Sequence, residues 1–328
     1  MGHATRSLAI IEEIKKKNID VVIRTCGTEN FFKNELPEIK IISGKVDVGS
    51  TIKTDGITID RIKTILNQKK WINDLDQYSD LEKTIIMKEN PDLIISDVSA
   101  MPLIAAKKAQ KKSLVISNFT WLDLLNFLPQ EELNILEKAY DCADAAFRLP
   151  FGTGMNHFKK ITDVGLVSRI PKMNKINLRK KLGIKKDEKL VTISLGNSQN
   201  KLKPKFEDGI KVISLGVNIQ GKNIVKIPKN ISGHELVAIS DLVICKCGYG
   251  FISECVSNKI PFFTLFNRNH NEQVGIAEKL KSLGFHNFVD FKGINDLQIT
   301  HNLIECIKPI KNITVENTLV VKKIIKMI

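Results

Sequence analysis

The chain has 328 residues, 43% of them apolar and 26% charged, with a formal net charge of +14. That is enough for two α/β domains of ordinary globular composition. No apolar stretch approaches the roughly 20 residues that span a bilayer, and no secretory signal opens the chain, so a cytoplasmic protein is expected. Lysine is spread over nearly every helical segment, which reads as compositional bias as much as a binding surface. No nucleic-acid motif or interleaved basic and aromatic pattern occurs, so nucleic acid is not an expected partner, whereas an anionic membrane surface is a candidate one.

In chain order, Gly2-His3-Ala4-Thr5-Arg6-Ser7 leads into a helix with Leu8, Ile11 and Ile14 on one face. Residues 20–25 and 39–43 read as strands, and the glycine- and threonine-containing stretch 44–59 as a flexible loop over a cleft. Residues 60–88 keep helical spacing from Ile62 to Ile85 and predict one helix. Asp74 and Asp76, two apart on it, point different ways, so a solvated face is expected there, not a metal site. Strands are expected over 91–97 and 113–118 with a helix over 102–112 between them, and this alternation predicts a parallel sheet. Residues 145–150 read as the last strand of the first half and 164–171 as the hinge, followed by a polar, lysine-rich stretch to Leu182.

The second half opens with a strand from Lys189 that ends in Gly196-Asn197-Ser198-Gln199. Further strands are expected over 210–215 and 223–227, with a helix over 234–239 in which His234 is only a first-turn residue. Residues 241–273 then read as strand, Gly248-Tyr249-Gly250 turn, helix over 251–257, second strand, and a polar loop ending in Glu272-Gln273. A helix N-terminus offers unpaired amides and the positive end of its dipole, and glycine lets a phosphate approach them. Glu254, one turn further on, is suited to two ribose hydroxyls. A helix over 274–283 stopping at Gly284, a short strand at 288–291 and helices to the end complete the pattern. The six cysteines (Cys26, Cys142, Cys245, Cys247, Cys255, Cys306) lack zinc-knuckle spacing and read as buried free thiols, so neither a disulfide nor a metal is expected.

The segment 241–273 resembles the donor-binding segment of GT-B glycosyltransferases, in the group that holds the peptidoglycan lipid-intermediate N-acetylglucosaminyltransferase and the macrolide and plant UDP-glycosyltransferases. The matching residues are Gly248-Tyr249-Gly250, Ser253-Glu254 and Glu272-Gln273. Gly2-His3-Ala4-Thr5-Arg6-Ser7, the strand pair ending in Asp97 and Asn118-Phe119-Thr120-Trp121, Gly165 to Arg169, and Gly196 to Gln199 resemble further family segments. The resemblance implies an α/β protein of GT-B fold, two Rossmann-like domains with parallel sheets facing across a cleft. Residues 1–168 would form the acceptor domain, 169–312 the donor domain, and 313–328 a terminal helix packing back on the first.

The implied activity is transfer of a sugar from a UDP-sugar to the hydroxyl of a glycan, lipid or small-molecule acceptor, inverting and without metal or cofactor. Implied roles are general base for His3, and donor binding for Ser198, Gly248, Tyr249, Gly250, Ser253, Glu254, Glu272, Gln273 and Arg169. Asp97, Asn118 and Thr120 would line the acceptor side. The alternatives are a disordered terminal position for His3, a structural salt bridge for Arg169 and strand-end capping for Asp97, Asn118 and Thr120. The sequence departs from the family in having no strand before Gly2, which predicts a central gap with unpaired backbone groups and a truncated or mis-started chain, or a degenerate protein. Two other functions stay open, a non-catalytic nucleotide-sugar-binding subunit and a UDP-sugar 2-epimerase.

Overall fold

β-branched runs too short for helices alternate with amphipathic helices, and every strand pairing in the computed structural model is parallel. The structure describes residues 2–54, 58–152, 154–195, 204–219, 221–228 and 230–328. The chain forms two units, one of residues 1–51, 59–167 and 316–328, the other of residues 52–58 and 168–315.

Unit 1 contains α1 (Gly2–Lys15), β1 (Val22–Thr25), α2 (Glu29–Glu35), β2 (Lys40–Ser43), α3 (Arg61–Asn73), α4 (Leu75–Glu89), β3 (Leu93–Ser96), α5 (Met101–Lys108), β4 (Lys112–Ser117), α6 (Trp121–Leu124), α7 (Gln130–Tyr140), β5 (Ala145–Arg148) and β6 (Ile161–Asp163). Its strands form two sheets, β1-β2 and β3-β4-β5-β6. The sheet is thus interrupted between β1 and β3, where the resemblance puts the first strand. Among the described residues each of these two strands pairs on one side only, and each exposes a β-branched side chain, Val22 at 40% and Ile95 at 38%. Helix α1 lies across the interruption. Its Ala4 and Leu8 pack with Ile23, Phe32 and Ile39 on the β1 side, while its Arg6 reaches Asp97 after β3.

Unit 2 contains α8 (Lys175–Lys181), β7 (Lys189–Ser194), β8 (Lys205–Phe206), β9 (Ile210–Leu215), α9 (Gly233–Ile239), β10 (Leu242–Lys246), α10 (Tyr249–Asn258), β11 (Phe262–Leu265), α11 (Asn271–Ser282), β12 (Phe288–Val289), α12 (Phe291–Asp296), β13 (Gln298–Ile299) and α13 (His301–Cys306). Its main sheet runs β12-β11-β10-β7-β9. In this doubly wound order the direction of winding reverses between β7 and β10, and ligands of such sheets bind beyond the carboxyl ends of the strands at that reversal. The core is aliphatic, with Val191, Ile193, Val212, Leu242 and Ile244 wholly buried. Helix α14 (Asn317–Ile325) packs on α1 within unit 1, where Thr318 donates to Glu13 at 2.8 Å.

Several expectations need correction. The helix expected over 60–88 is two, broken at Asp74, because α3 packs on α7 while α4 packs on α5. The loop 44–59 is not free where it is described. The Val46 and Val48 carbonyls accept from Ser99 and Gln68, and the Thr51 amide donates to Thr64 Oγ1 at 3.0 Å. Residues 145–150 are not the last strand of the half, since β6 follows and pairs with β5. The lysine-rich stretch before Leu182 folds as α8, capped by Asn174. Residues 223–227 make only one isolated bridge, Ile224 to Val212. Cys26 and Cys306 are exposed; the buried thiols are Cys245, Cys247 and Cys255.

Candidate functional site

In unit 1 the first turn of α1 meets the carboxyl ends of β3 and β4. His3, Arg6 and Ser7 share one helix face by their spacing, and all three converge on Asp97. Arg6, only 3% exposed, donates Nε to Asp97 Oδ2 at 2.7 Å, and its Nη2 donates to Asp97 Oδ1 and to Ser117 Oγ. Its Nη1 donates to Asn118 Oδ1. Ser7 Oγ donates to Asp97 at 3.2 Å. Burial alone would raise the Asp97 pKa, but the Arg6 charge, the nearby His3 and the hydrogen bonds from both more than offset it. The carboxyl is held well below the usual carboxylate range.

His3 Nδ1 lies 3.0 Å from Asp97 Oδ1 and 2.8 Å from Arg6 Nη2. It donates to the carboxylate in one tautomer and accepts from the guanidinium in the other. The His3 side chain is 44% exposed and rests edge-on against Phe119.

The backbone behind Asp97 is strained. Val98, a buried β-branched residue, has φ +72°, a left-handed conformation that such side chains rarely adopt. Gly152 is required by close approach, because a Cβ there would lie 1.8 Å from the Asn118 carbonyl oxygen.

Asn118 and Thr120 are wholly buried. Asn118 joins Arg6 to the Phe151 carbonyl, and Thr120 forms a capping box with Asp123 at the start of α6. Asn118 thus supports the cluster from behind, while Thr120 caps α6.

Asp47, which the sequence reading missed, belongs to the same neighbourhood. Its carboxylate accepts the Trp121 indole N–H at 2.8 and 3.1 Å and the Val48 amide at 2.8 Å. Burial, only partly offset by these bonds and by His3, pushes its pKa up to about 6. No local pattern in 44–59 marks this aspartate.

In unit 2, α10 begins directly after Gly248, so the expected three-residue turn is a single N-cap glycine, and Tyr249 and Gly250 belong to the first helical turn. Gly248 has φ −146°, and a Cβ on it would meet nothing nearer than the Lys246 carbonyl at 3.9 Å. The protein's own packing therefore does not require glycine there, and the space over the first-turn amides is what a bound anion needs.

Ser253 turns its hydroxyl back to the Gly250 carbonyl at 2.8 Å. Glu254, 2% exposed, is ion-paired with buried Arg169, whose Nε and Nη2 lie 2.8 and 2.7 Å from Oε1. Ser168 bonds Ser257, and Glu235 accepts the Lys172 amide at 2.7 Å, so residues 168–172 are tied to α9 and α10. His234 is buried beside Arg169 and bonds Ser232; burial first, then the Arg169 and Lys172 charges, push its pKa down to about 3.

Glu272 and Gln273, expected on a loop, are in the first turn of α11, because a tight turn from Asn267 makes His270 the N-cap. Gln273 Oε1 accepts the Asn267 amide at 2.9 Å. Gln273 Nε2 and His270 Nδ1 are both buried without a hydrogen-bond partner among the described residues. Burial chiefly lowers the His270 pKa. Ser198 lies outside the described residues. Among those described, no group of three His, Cys, Asp or Glu side chains is arranged to hold a metal, and no helix is long and apolar enough to cross a membrane.

No protein-family model matches the chain. It is 25% identical over 303 residues to L-arabinokinase from Arabidopsis thaliana, an alignment that covers 85% of this chain and 28% of that protein. The chain thus spans little more than a quarter of the relative's length. The glycosyltransferase SnogD from Streptomyces nogalater superposes with a TM-score of 0.63 at 10% identity, over 98% of this chain and 95% of that one. MurG from Acinetobacter baumannii superposes with a TM-score of 0.53 at 11% identity, over 99% and 96%. The chain has the GT-B fold.

Proposed function

We propose that the protein is a glycosyltransferase that moves a sugar from a nucleoside-diphosphate sugar, with uridine as the base, to an acceptor hydroxyl with inversion. The observation that carries this reading is the His3–Asp97 pair at the mouth of α1. A carboxylate fixed by Arg6 and Ser7 holds His3 Nδ1–H, which leaves Nε2 as a proton acceptor on a partly exposed ring. The acceptor O–H proton passes to Nε2 as the acceptor oxygen bonds the anomeric carbon, and the bond to the diphosphate breaks with its electron pair leaving on phosphate. The amides of Gly248, Tyr249 and Gly250 and the loop of Ser198 stabilise that charge.

Glu272 and Gln273 orient the sugar ring, a role supported by their match to the acidic residue and glutamine that end the family's donor-binding segment. Arg169 and Glu254, paired with each other, brace α10 beneath the phosphates. The acceptor is a glycan, lipid or small molecule, and the net charge of +14 is the reason to present lipid acceptors in anionic vesicles.

Calorimetric titration of UDP and a panel of UDP-sugars, with UDP release measured with and without acceptors, tests the reading. L-arabinose is included among the sugars because of the partial likeness to L-arabinokinase. Acceptor-dependent UDP release, resistant to EDTA and lost in His3→Ala, supports transfer. Acceptor-free interconversion of sugars indicates an epimerase, and binding without turnover a nucleotide-sugar-binding subunit. Absence of any nucleotide binding refutes all three.

A further inference from the structure

Tyr140, the last residue of α7, is wholly buried, and its ring packs against His157 and Phe158. Its hydroxyl donates to the Val98 carbonyl at 2.6 Å and accepts the Trp121 amide at 3.1 Å. One oxygen thus joins the turn after β3, which carries Asp97, to the turn after β4, which carries Asn118 and Trp121. Val98 is the residue at φ +72°. A β-branched residue stays in that conformation only where its surroundings over-determine it. The Ser96 hydroxyl, bonded to the Ser99 carbonyl at 2.6 Å, closes the same turn from the other side.

We infer that Tyr140 is a positioning residue for the His3–Asp97 pair: its hydroxyl clamps the strained Val98 peptide and so fixes the Asp97 carboxylate that selects the His3 tautomer. The inference rests on the proposed role of His3 as base. Without the clamp the Val98 peptide relaxes toward ordinary φ, and the adjacent Asp97 carboxylate rotates away from Nδ1. Arg6, held also by Ser117 and Asn118, remains as donor to Nδ1, so the ring moves to the Nε2–H tautomer, which has no free base nitrogen.

The test is Tyr140→Phe in the full chain labelled with ¹⁵N-histidine, the His3 signals among the six histidines being assigned with His3→Gln. The expected result is a shift of the His3 ring nitrogens from the Nδ1–H to the Nε2–H pattern. A fall of tenfold or more in UDP release from UDP-sugar, with UDP affinity unchanged within twofold, should accompany it.

A second variant adds Val98→Gly, since glycine adopts positive φ without strain. Tyr140→Phe with Val98→Gly should restore the Nδ1–H pattern, which a purely structural loss would not do, and it provides a folded sample if Tyr140→Phe alone does not fold. Unchanged His3 signals in folded Tyr140→Phe, or a folded double variant that stays in the Nε2–H form, overturns the inference. Failure of UDP to bind the parent protein overturns the glycosyltransferase reading instead, and leaves the His3 signals to decide the clamp.

Discussion

The buried pair Arg169–Glu254 gives the sharpest test of what α10 is for. Both side chains are almost fully out of water, and both guanidinium contacts fall on one carboxylate oxygen at 2.7 and 2.8 Å. Deleting one partner of such a pair strands the other charge and costs about 3–5 kcal/mol, whereas replacing both by apolar residues of similar volume is often neutral or stabilising. Glu254→Gln should therefore destabilise unit 2 by about 3–5 kcal/mol. Arg169→Met combined with Glu254→Leu should recover most of that loss.

Urea unfolding followed by circular dichroism measures the change. Trp71 and Trp121, the protein's two tryptophans, both lie in unit 1, so their fluorescence follows that unit while circular dichroism follows both. A loss below about 1 kcal/mol for Glu254→Gln would put the pair in the range of exposed ion pairs and refute the bracing role. Nucleotide binding by the double variant then separates the two roles of Glu254. Parental UDP affinity in a stable double variant excludes ribose contact, and lost affinity in the same stable protein establishes it.

Other outcomes follow from the same geometry. Asp47 has a folded pKa of about 6 against an ordinary value of 3.8, so its contribution to stability is fully present below about pH 4 and is lost as pH rises through 6. Asp47→Asn should thus raise stability relative to the parent by about 3 kcal/mol at pH 8, following a gap of about two pH units, and should not do so at pH 4. Equal differences at both pH values in thermal melts would contradict this. Gly248→Ala adds a methyl where the nearest atom is 3.9 Å away, so unfolding should change by no more than about 1 kcal/mol, the cost of alanine at an N-cap, while UDP affinity falls tenfold or more. A variant that binds UDP like the parent would remove the anion from the start of α10. Amide exchange should be faster at the outward edges of β1 and β3 than in β4, which is paired on both sides, and equal protection would show those edges to be covered in solution.

Much of the fold was legible because strand and helix periods differ and because most strands here are buried. Leu242 to Cys245 and Leu190 to Ile193 are apolar or β-branched throughout and fell close to their expected bounds. What failed was local termination. Asp74 does not look like a helix breaker, and the break there is set by which neighbours α3 and α4 meet. Glu272 and Gln273 looked like loop residues because His270 is an uncommon N-cap, and only the folded turn from Asn267 shows that helix α11 begins there.

On the unit 1 side, His3 and Asp97 were found as separate motif ends 94 residues apart, and the structure supplies their contact. Arg6 was visible as a motif letter but not as the group that unites the cluster. Asp47 and Tyr140 carry no pattern of their own. Their roles depend on a loop and a helix end brought together by tertiary packing, which periodicity does not encode.

The interruption between β1 and β3 makes the first two turns of α1 a bridge. Leu8 makes apolar contacts with the β1 fragment and Arg6, two residues earlier, holds Asp97 beyond the β3 fragment, so both grips lie in the first two turns of the helix. Two helical residues span about 3 Å of axis, so one short, stiff segment joins the two fragments. A base and its orienting carboxylate tolerate only about 0.5 Å of misplacement. A shift of either fragment therefore acts directly on the turn that carries His3, the base proposed above, with no flexible segment between them to absorb it.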